Sequence, residues 1–296
     1  MRDARIVILG AGPTGLGAAY RLQELGYGEW DIYEADDHVG GLSGVLAGRS
    51  VTRALLTPYA EPAAAEREVL ELLAGAGVAV ERPVAPVAGA DAPAGRSGDV
   101  AWEVVWPTAG AVRGAEGADG TTVNDLSLAV VLEAPDVTVL ATGDLETQAQ
   151  ANLAGAVRRA RAAGERDASA ASRLEGIDVL VVPHHGSARQ DPGLMALVSA
   201  PLALVSSGAG NPYGHPAPSV LDLIAENGGT ALRSDRCGSV AVLADPLATV
   251  SGCTAADLAP EPAGAAAAAS ITITRRRPRA RRRSPAPRVR ASGPGP

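Results

Sequence analysis

The stretch LSLAVVLEAPDVTVLATGD, residues 126–144, decides the fold class of this chain. Two apolar runs, 126–132 and 137–141, are split by Pro135-Asp136 and followed by the turn Thr142-Gly143-Asp144. Apolar runs of that length bounded by turn residues read as a strand pair. Downstream, a polar Ala/Arg-rich helix is expected over 146–163, then strands at 177–182, 202–206 and 239–243. Helices around Leu194 and over 218–227 separate the last three strands. Strands alternating with helices in this way make an α/β protein.

Upstream, residues 5–10 are a short apolar run ending in glycine, followed by a helical pattern over 14–26 and a second strand over 30–34. This is a strand–turn–helix–strand unit of the parallel type. A helix over 66–74 is expected to end at Gly75 or Gly77. Residues 85–120 are rich in Gly, Ala and Pro, and only 102–106 reads as a strand, so the rest is expected as loop. Beyond Asp257 the chain turns Ala/Pro-rich and then Arg/Pro-rich, the composition of a disordered tail.

Composition narrows the options. There is no Lys and no Phe, so every basic residue is Arg and a core must be built from Val, Leu, Ile and Ala. The net charge of −7 hides two opposed regions, because nine of the 26 arginines lie between Arg275 and Arg290. Without those nine, 17 Arg face 33 acids, a balance of −16. A body this acidic repels nucleic acid unless a metal or a local basic patch reverses the field. The Arg-rich tail is suited to acidic partners. Cys237 and Cys253 form no CxxC pattern; of the two readings open to them, a disulfide and two free thiols in a reducing compartment, the second is expected. No signal-peptide pattern opens the chain, and no apolar run reaches the ~18 residues of a membrane span. A soluble, cytoplasmic protein is expected.

Gly10-Ala11-Gly12-Pro13-Thr14-Gly15 fits GxGxxG between a strand and a helix. Gly10 permits the tight turn, Gly12 lets the backbone approach a pyrophosphate, and Gly15 lets helix and strand pack closely. The helix N-terminus then faces the phosphates. Glu34 stands at the end of the second strand, placed to accept hydrogen bonds from a ribose. The stretch RIVILGAGPTGLGAAYRLQELG…WDIYEADDHVGGLS resembles the flavin-dependent amine-oxidase, protoporphyrinogen-oxidase and UDP-galactopyranose-mutase group. The resemblance covers about 43 residues and implies FAD as cofactor, held at its adenine-ribose and diphosphate end by Gly10, Gly12, Gly15 and Glu34.

All four histidines lie in short motifs: Asp37-His38-Val39-Gly40-Gly41, Pro183-His184-His185-Gly186-Ser187 and Tyr213-Gly214-His215-Pro216. Two further motifs stand between them, Asn124-Asp125-Leu126-Ser127 and Thr142-Gly143-Asp144. Imidazoles in turns after strands or in Gly/Pro loops can converge on a metal. Asp144, directly after a strand, is placed like a carboxylate that bridges two ions.

This ordered set resembles the C-terminal metallo-β-lactamase-like domain of the ComEC competence family, along NDLSLAVVLEAPDVTVLATGDLETQAQANL, DVLVVPHHGSARQ and SSGAGNPYGHPAPSVLDLI. The resemblance implies a metal-dependent hydrolase acting on nucleic acid, with a divalent ion such as Zn or Mn. Asp37, His38, Asp144, His184 and His215 would be its metal ligands, and His185 and Asn124 would be ligands or hydrogen-bond partners of ligands. Asp144, His184 and His185 would carry the catalysis. Where that family has a His and an Asp or His ahead of Asp-His, this chain has Tyr33 and Ala35, which implies one ion rather than two.

The hexapeptide Asp37–Leu42 is at home in either family, so the chain reads as a hybrid joined there: a metal-dependent hydrolase first, with an FAD-dependent oxidoreductase fragment and a non-catalytic remnant as the alternatives. The expected fold is α/β: a truncated metallo-β-lactamase-like αββα sandwich, a Rossmann-type βαβ unit in front, and a disordered C-terminal tail. The expected divisions are 1–42, 43–256 and 257–296.

Overall fold

The computed structural model describes residues 6–9, 30–33, 46, 51–59, 63–85, 92–113, 120–162, 174, 176–208, 211–238, 240–243, 248–251 and 253. Near the N-terminus, β1 (Ile6–Leu9) and β2 (Trp30–Tyr33) pair in parallel, Ile6 against Trp30 through Leu9 against Tyr33. That is the strand pairing of the expected βαβ unit. The expected helix over 14–26, the hexapeptide Asp37–Leu42 and the tail after Asp257 lie outside the described residues.

Next come β3 (Arg53–Leu55), α1 (Ala63–Gly75) and β4 (Ala79–Glu81), with β3 and β4 forming a small parallel pair. The largest element of the fold is a seven-stranded mixed sheet. Its members are β5 (Ala94–Ser97), β6 (Val100–Trp106), β7 (Ala129–Ala134), β8 (Val137–Ala141), β9 (Val179–Val181), β10 (Leu202–Val205) and β11 (Thr230–Arg233). They lie in the order β11-β10-β9-β8-β7-β6-β5. Strands β5 to β8 pair antiparallel, and β8 to β11 pair in parallel.

Each parallel step needs a crossover. The three crossovers carry α4 (Thr147–Ala162), α5 (Pro192–Val198) and α6 (Pro218–Glu226). Helix α4 buries Ala149, Gln150, Leu153, Ala154 and Val157, a stripe at helical spacing. Helix α5 starts where Asp191 accepts a hydrogen bond from the Leu194 amide at 2.6 Å and Pro192 supplies a preset φ.

Both faces of the sheet are covered, and successive residues show it. Leu180, Leu140 and Val131 join the helices in one core cluster, while Val179, Val139 and Leu132 point into the other. A strand buried on both faces loses the apolar/polar alternation, and that is why these segments read as continuous apolar runs. The second face is closed by Cys237 and Cys253 with Val240 and Val242 of the hairpin β12 (Val240–Leu243) and β13 (Ala248–Ser251). Among the described residues there is one large sheet, accompanied by three two-stranded ones, so the αββα sandwich is not what these residues display.

Three expectations are corrected. The described residues within 85–120 are not mostly loop: they hold β5, the whole of β6 and the helix α2 (Ala109–Arg113), and α3 (Gly120–Asp125) begins at their end. The edge strand β5 is Ala-Gly-Arg-Ser and has little strand propensity of its own, so its pairing with β6 makes it a strand. Gly95 is required there, because a Cβ would stand 2.5 Å from the Trp102 indole that crosses it. Strand β11, absent from the sequence reading, is a short edge paired only with β10.

The third correction concerns Cys237 and Cys253, which form a disulfide rather than two free thiols. The short helix α7 (Ser234–Cys237) ends on the first cysteine, and the hairpin turns the chain back so that both are buried together. Among the described residues no helix is long and apolar enough to cross a membrane.

Closing a 16-residue separation restricts the unfolded chain, an effect worth about 3 kcal/mol for a loop of that size. Replacing both cysteines by alanine, or reducing them, should therefore lower the denaturation midpoint by a comparable free energy. An unchanged midpoint in urea would show that the hairpin holds without the bond.

Candidate functional site

Parallel strands in sequential order end at the same edge of their sheet, where open α/β folds gather their ligands. Ala141, Val181 and Leu204 are paired across β8, β9 and β10, so the residues just after each strand meet. After β8 comes Thr142-Gly143-Asp144, after β9 comes Pro183-His184-His185, and after β10 the chain runs through Ser206 and Ser207 towards His215. Thr142 Oγ1 donates to the Val181 carbonyl at 2.7 Å, and the His184 amide donates to the Gly143 carbonyl at 3.0 Å. The first two loops are thereby laced together.

The double-histidine turn is bent in an unusual way. His184 and His185 both take left-handed backbone angles, with φ of 46° and 53°. Such angles cost a non-glycine residue roughly 1–2 kcal/mol each, and strain of this kind collects at functional sites when neighbours over-determine it. Here Gln190 Nε2 donates to the carbonyls of both Pro183 and Ser187, and the Ser187 amide closes the turn onto the His184 carbonyl. Gly186 follows with φ of 80°, and a Cβ on it would stand 2.7 Å from Pro216 Cβ. Its carbonyl accepts from the Ala217 amide at 2.8 Å, which holds the His215 loop against the turn.

The side chains that result form one cluster. The rings of His184 and His215 are 5.7 Å apart, and those of His184 and His185 are 6.3 Å apart. His185 Nε2 lies 3.6 Å from Asp144 Oδ1, and its Nδ1 stands 2.8 Å from the Ser206 carbonyl. A carbonyl only accepts, so Nδ1 carries a proton, and Nε2 is the nitrogen that faces Asp144. Asp144 is buried, and its amide donates to Ser127 Oγ at 3.2 Å. Burial, and then the charges of His184 and His185, hold His215 below the ordinary imidazole value of 6.5.

Two residues that the sequence reading passed over complete the cluster. Glu146, 5% exposed, caps the start of α4 and turns its carboxylate inward. Oε2 takes the Arg189 guanidinium at 2.5 Å, while Oε1 takes Asn124 Nδ2 at 3.2 Å and lies 3.5 Å from His184 Nδ1. Asn124 thus sits behind the cluster as a partner of Glu146. The only signal in the sequence was an acid two positions after Asp144, which reads equally well as a helix N-terminal charge.

Asp144, His184, His185 and His215 are thus brought together. Asp37, His38, Gly10, Gly12, Gly15, Glu34 and Ala35 lie outside the described residues, and Tyr33 is the last residue of β2. Two ligands of one Zn²⁺ at ~2.0–2.2 Å stand roughly 3–3.5 Å apart, and the 3.6 Å between His185 Nε2 and Asp144 Oδ1 is close to that spacing. Among the described residues no group of three such donors is close enough to hold an ion. The His185–Asp144 pair by itself has the spacing of two ligands on one ion.

The comparison with known families decides the N-terminal part. Residues 8–48 match the NAD(P)-binding Rossmann-like domain family. No curated protein matches the chain, and neither comparison supports the ComEC likeness of the remainder. The matched segment covers the end of β1, all of β2 and the GxGxxG between them.

Because its protonation is disfavoured in the folded state, His215 should titrate below the ordinary imidazole range when followed by NMR. The unfolded chain takes up that proton more readily, so this residue weakens the fold as pH drops below about 6.5. Replacing His184 and His185 together by Gln should raise the His215 midpoint only in part, since burial is the larger cause. A midpoint unmoved by the double substitution would show that the three imidazoles do not share a field.

Proposed function

We propose that the N-terminal segment binds the ADP moiety of a dinucleotide, FAD above NAD(P), as the nucleotide-binding end of a flavin-type oxidoreductase. The family match over residues 8–48 carries this reading. The parallel pairing of β1 with β2 supports it, since two parallel strands flanking GxGxxG are the frame of a dinucleotide-binding unit. Gly10, Gly12 and Gly15 would line the diphosphate, and Glu34 would accept from the adenosine ribose. These groups serve only the ADP half of the cofactor. ADP-ribose should therefore compete with FAD almost as well as FAD competes with itself, and Gly12→Val should weaken both at least tenfold. Fluorescence titration of FAD, with ADP-ribose as competitor, measures both effects; no saturable binding of either ligand would sink the reading.

A second reading rests on a different observation, the approach of His185 Nε2 to the Asp144 carboxylate within 3.6 Å. An imidazole nitrogen and a carboxylate oxygen are donors that a divalent ion accepts, and their separation is close to that of two ligands on one ion. This supports a metal-dependent hydrolase in which Asp144 and His185 hold a divalent Zn or Mn ion, with His184 and His215 beside them and Asp37 and His38 as further candidates. Such an ion, when bound, lowers the pKa of its water to about 7 and so supplies the nucleophile. The chain's own part is to fix the donors: Ser206 sets the His185 tautomer and Ser127 anchors Asp144. Nucleic acid is the proposed substrate, and the Arg-rich segment 275–290 is proposed to offset the acidic body when it approaches. Purified protein should retain Zn or Mn by mass spectrometry and cleave single-stranded DNA, and Asp144→Ala should lose most of both. Metal content and cleavage equal in parent and variant would remove Asp144 from the site.

A further inference from the structure

We propose that Glu146 is a positioning residue that fixes His184 as the Nδ1–H tautomer and so dedicates its Nε2 to the cluster. The inference deepens the hydrolase reading, but its central observable needs neither metal nor substrate. It begins with the two histidines of the turn, which have opposite surroundings. His185 Nδ1 faces a backbone carbonyl, Ser206 O at 2.8 Å, which calls for a proton on that nitrogen. His184 Nδ1 is shielded from solvent and has the Glu146 carboxylate at 3.5 Å.

The carboxylate is itself held so that it cannot turn away. Arg189 occupies Oε2 at 2.5 Å, and Asn124 shares Oε1 at 3.2 Å. The backbone is pinned too, because the Glu146 amide donates to Asp125 Oδ1 at 3.0 Å and its carbonyl accepts from the Gln150 amide at 3.0 Å. Gln150, fully buried, in turn donates to the Leu145 and Arg189 carbonyls and accepts from the Asp191 amide at 2.8 Å. The start of α4, the Arg189 loop and the start of α5 are therefore one hydrogen-bonded block behind His184.

A carboxylate accepts and does not donate, so the nitrogen facing it keeps the proton. At 3.5 Å the pair makes no hydrogen bond as it stands. The carboxylate charge is close enough to favour Nδ1–H. Both histidines of the turn then present Nε2 as acceptor, one through a backbone carbonyl and one through Glu146. The strained left-handed turn has a purpose on this view, because it points two adjacent rings at two different fixed acceptors.

The test is long-range ¹H–¹⁵N correlation of His-labelled protein at pH 8, without metal, with His184 assigned by the signal lost in His184→Gln. The parent should show the protonated nitrogen of His184 at Nδ1 and the lone-pair nitrogen at Nε2. In Glu146→Gln, the amide oxygen should stay with Arg189 and the NH₂ should face His184, which reverses the tautomer, while His185 keeps its own. A parent His184 with its proton on Nε2 overturns the proposal even if the variant does not fold. So does a folded Glu146→Gln in which the His184 tautomer is unchanged. Either result leaves the DNA-cleavage assay untouched, so failure of this inference and failure of the hydrolase reading are separable.

Discussion

The parallel register of β8, β9 and β10 is the constraint on which the rest of this structure depends. Ala141, Val181 and Leu204 lie in one row. Val179, Val139 and Leu132 fill one face of these strands and Leu180, Leu140 and Val131 the other, so the register decides which side chains meet in each core cluster. The edge loops inherit that precision, and Asp144, His184 and His185 are set by backbone pairing before any polar contact is made. Hydrogen bonds between loops, Thr142 to Val181 and His184 to Gly143, refine a geometry that the sheet has already imposed.

Above that layer, polar groups are used economically. Glu146 and Gln150 are among the few buried polar residues, and their carboxylate and amide groups have named partners. Leaving such a group unpaired costs about 1–3 kcal/mol, more if it is charged. Removing Arg189 or Asn124 would therefore disturb the acid they hold, and through it the neighbouring histidine. The left-handed angles of His184 and His185 are sustained by the same surroundings, with Gln190 below the turn and the Pro216 ring against Gly186.

The sequence revealed those parts of the fold that depend on short-range pattern. Strands β7 to β10 were legible because burial on both faces makes unbroken apolar runs, and α4 was legible from its stripe and length. Strand β5 was not, since Ala-Gly-Arg-Ser becomes a strand only by pairing with β6 and by leaving Gly95 bare beneath Trp102. The disulfide was not legible because proximity of Cys237 and Cys253 depends on a hairpin whose sequence gives no sign of where it will return. In the site, the histidines were found because each sits in a Gly- or Pro-marked turn. Glu146 and Arg189 were missed because 43 residues separate them in the chain, and only the crossover through α4 and β9 brings them together.

The same crossovers govern the order in which the site can come into being. Strands β5 and β6, and β7 and β8, are joined by tight turns and can pair early, whereas each later strand must wait for an intervening helix to fold back. Non-local pairings of this kind carry a loop-closure cost that slows them. His215 lies beyond the third of the three paired strands, so it is the last member of the cluster to reach its place. A chain emerging from synthesis can complete β8 and present Asp144 long before its imidazole partners exist. Pairing of β9 brings His184 and His185 to Asp144, and only after β10 has followed can His215 join them.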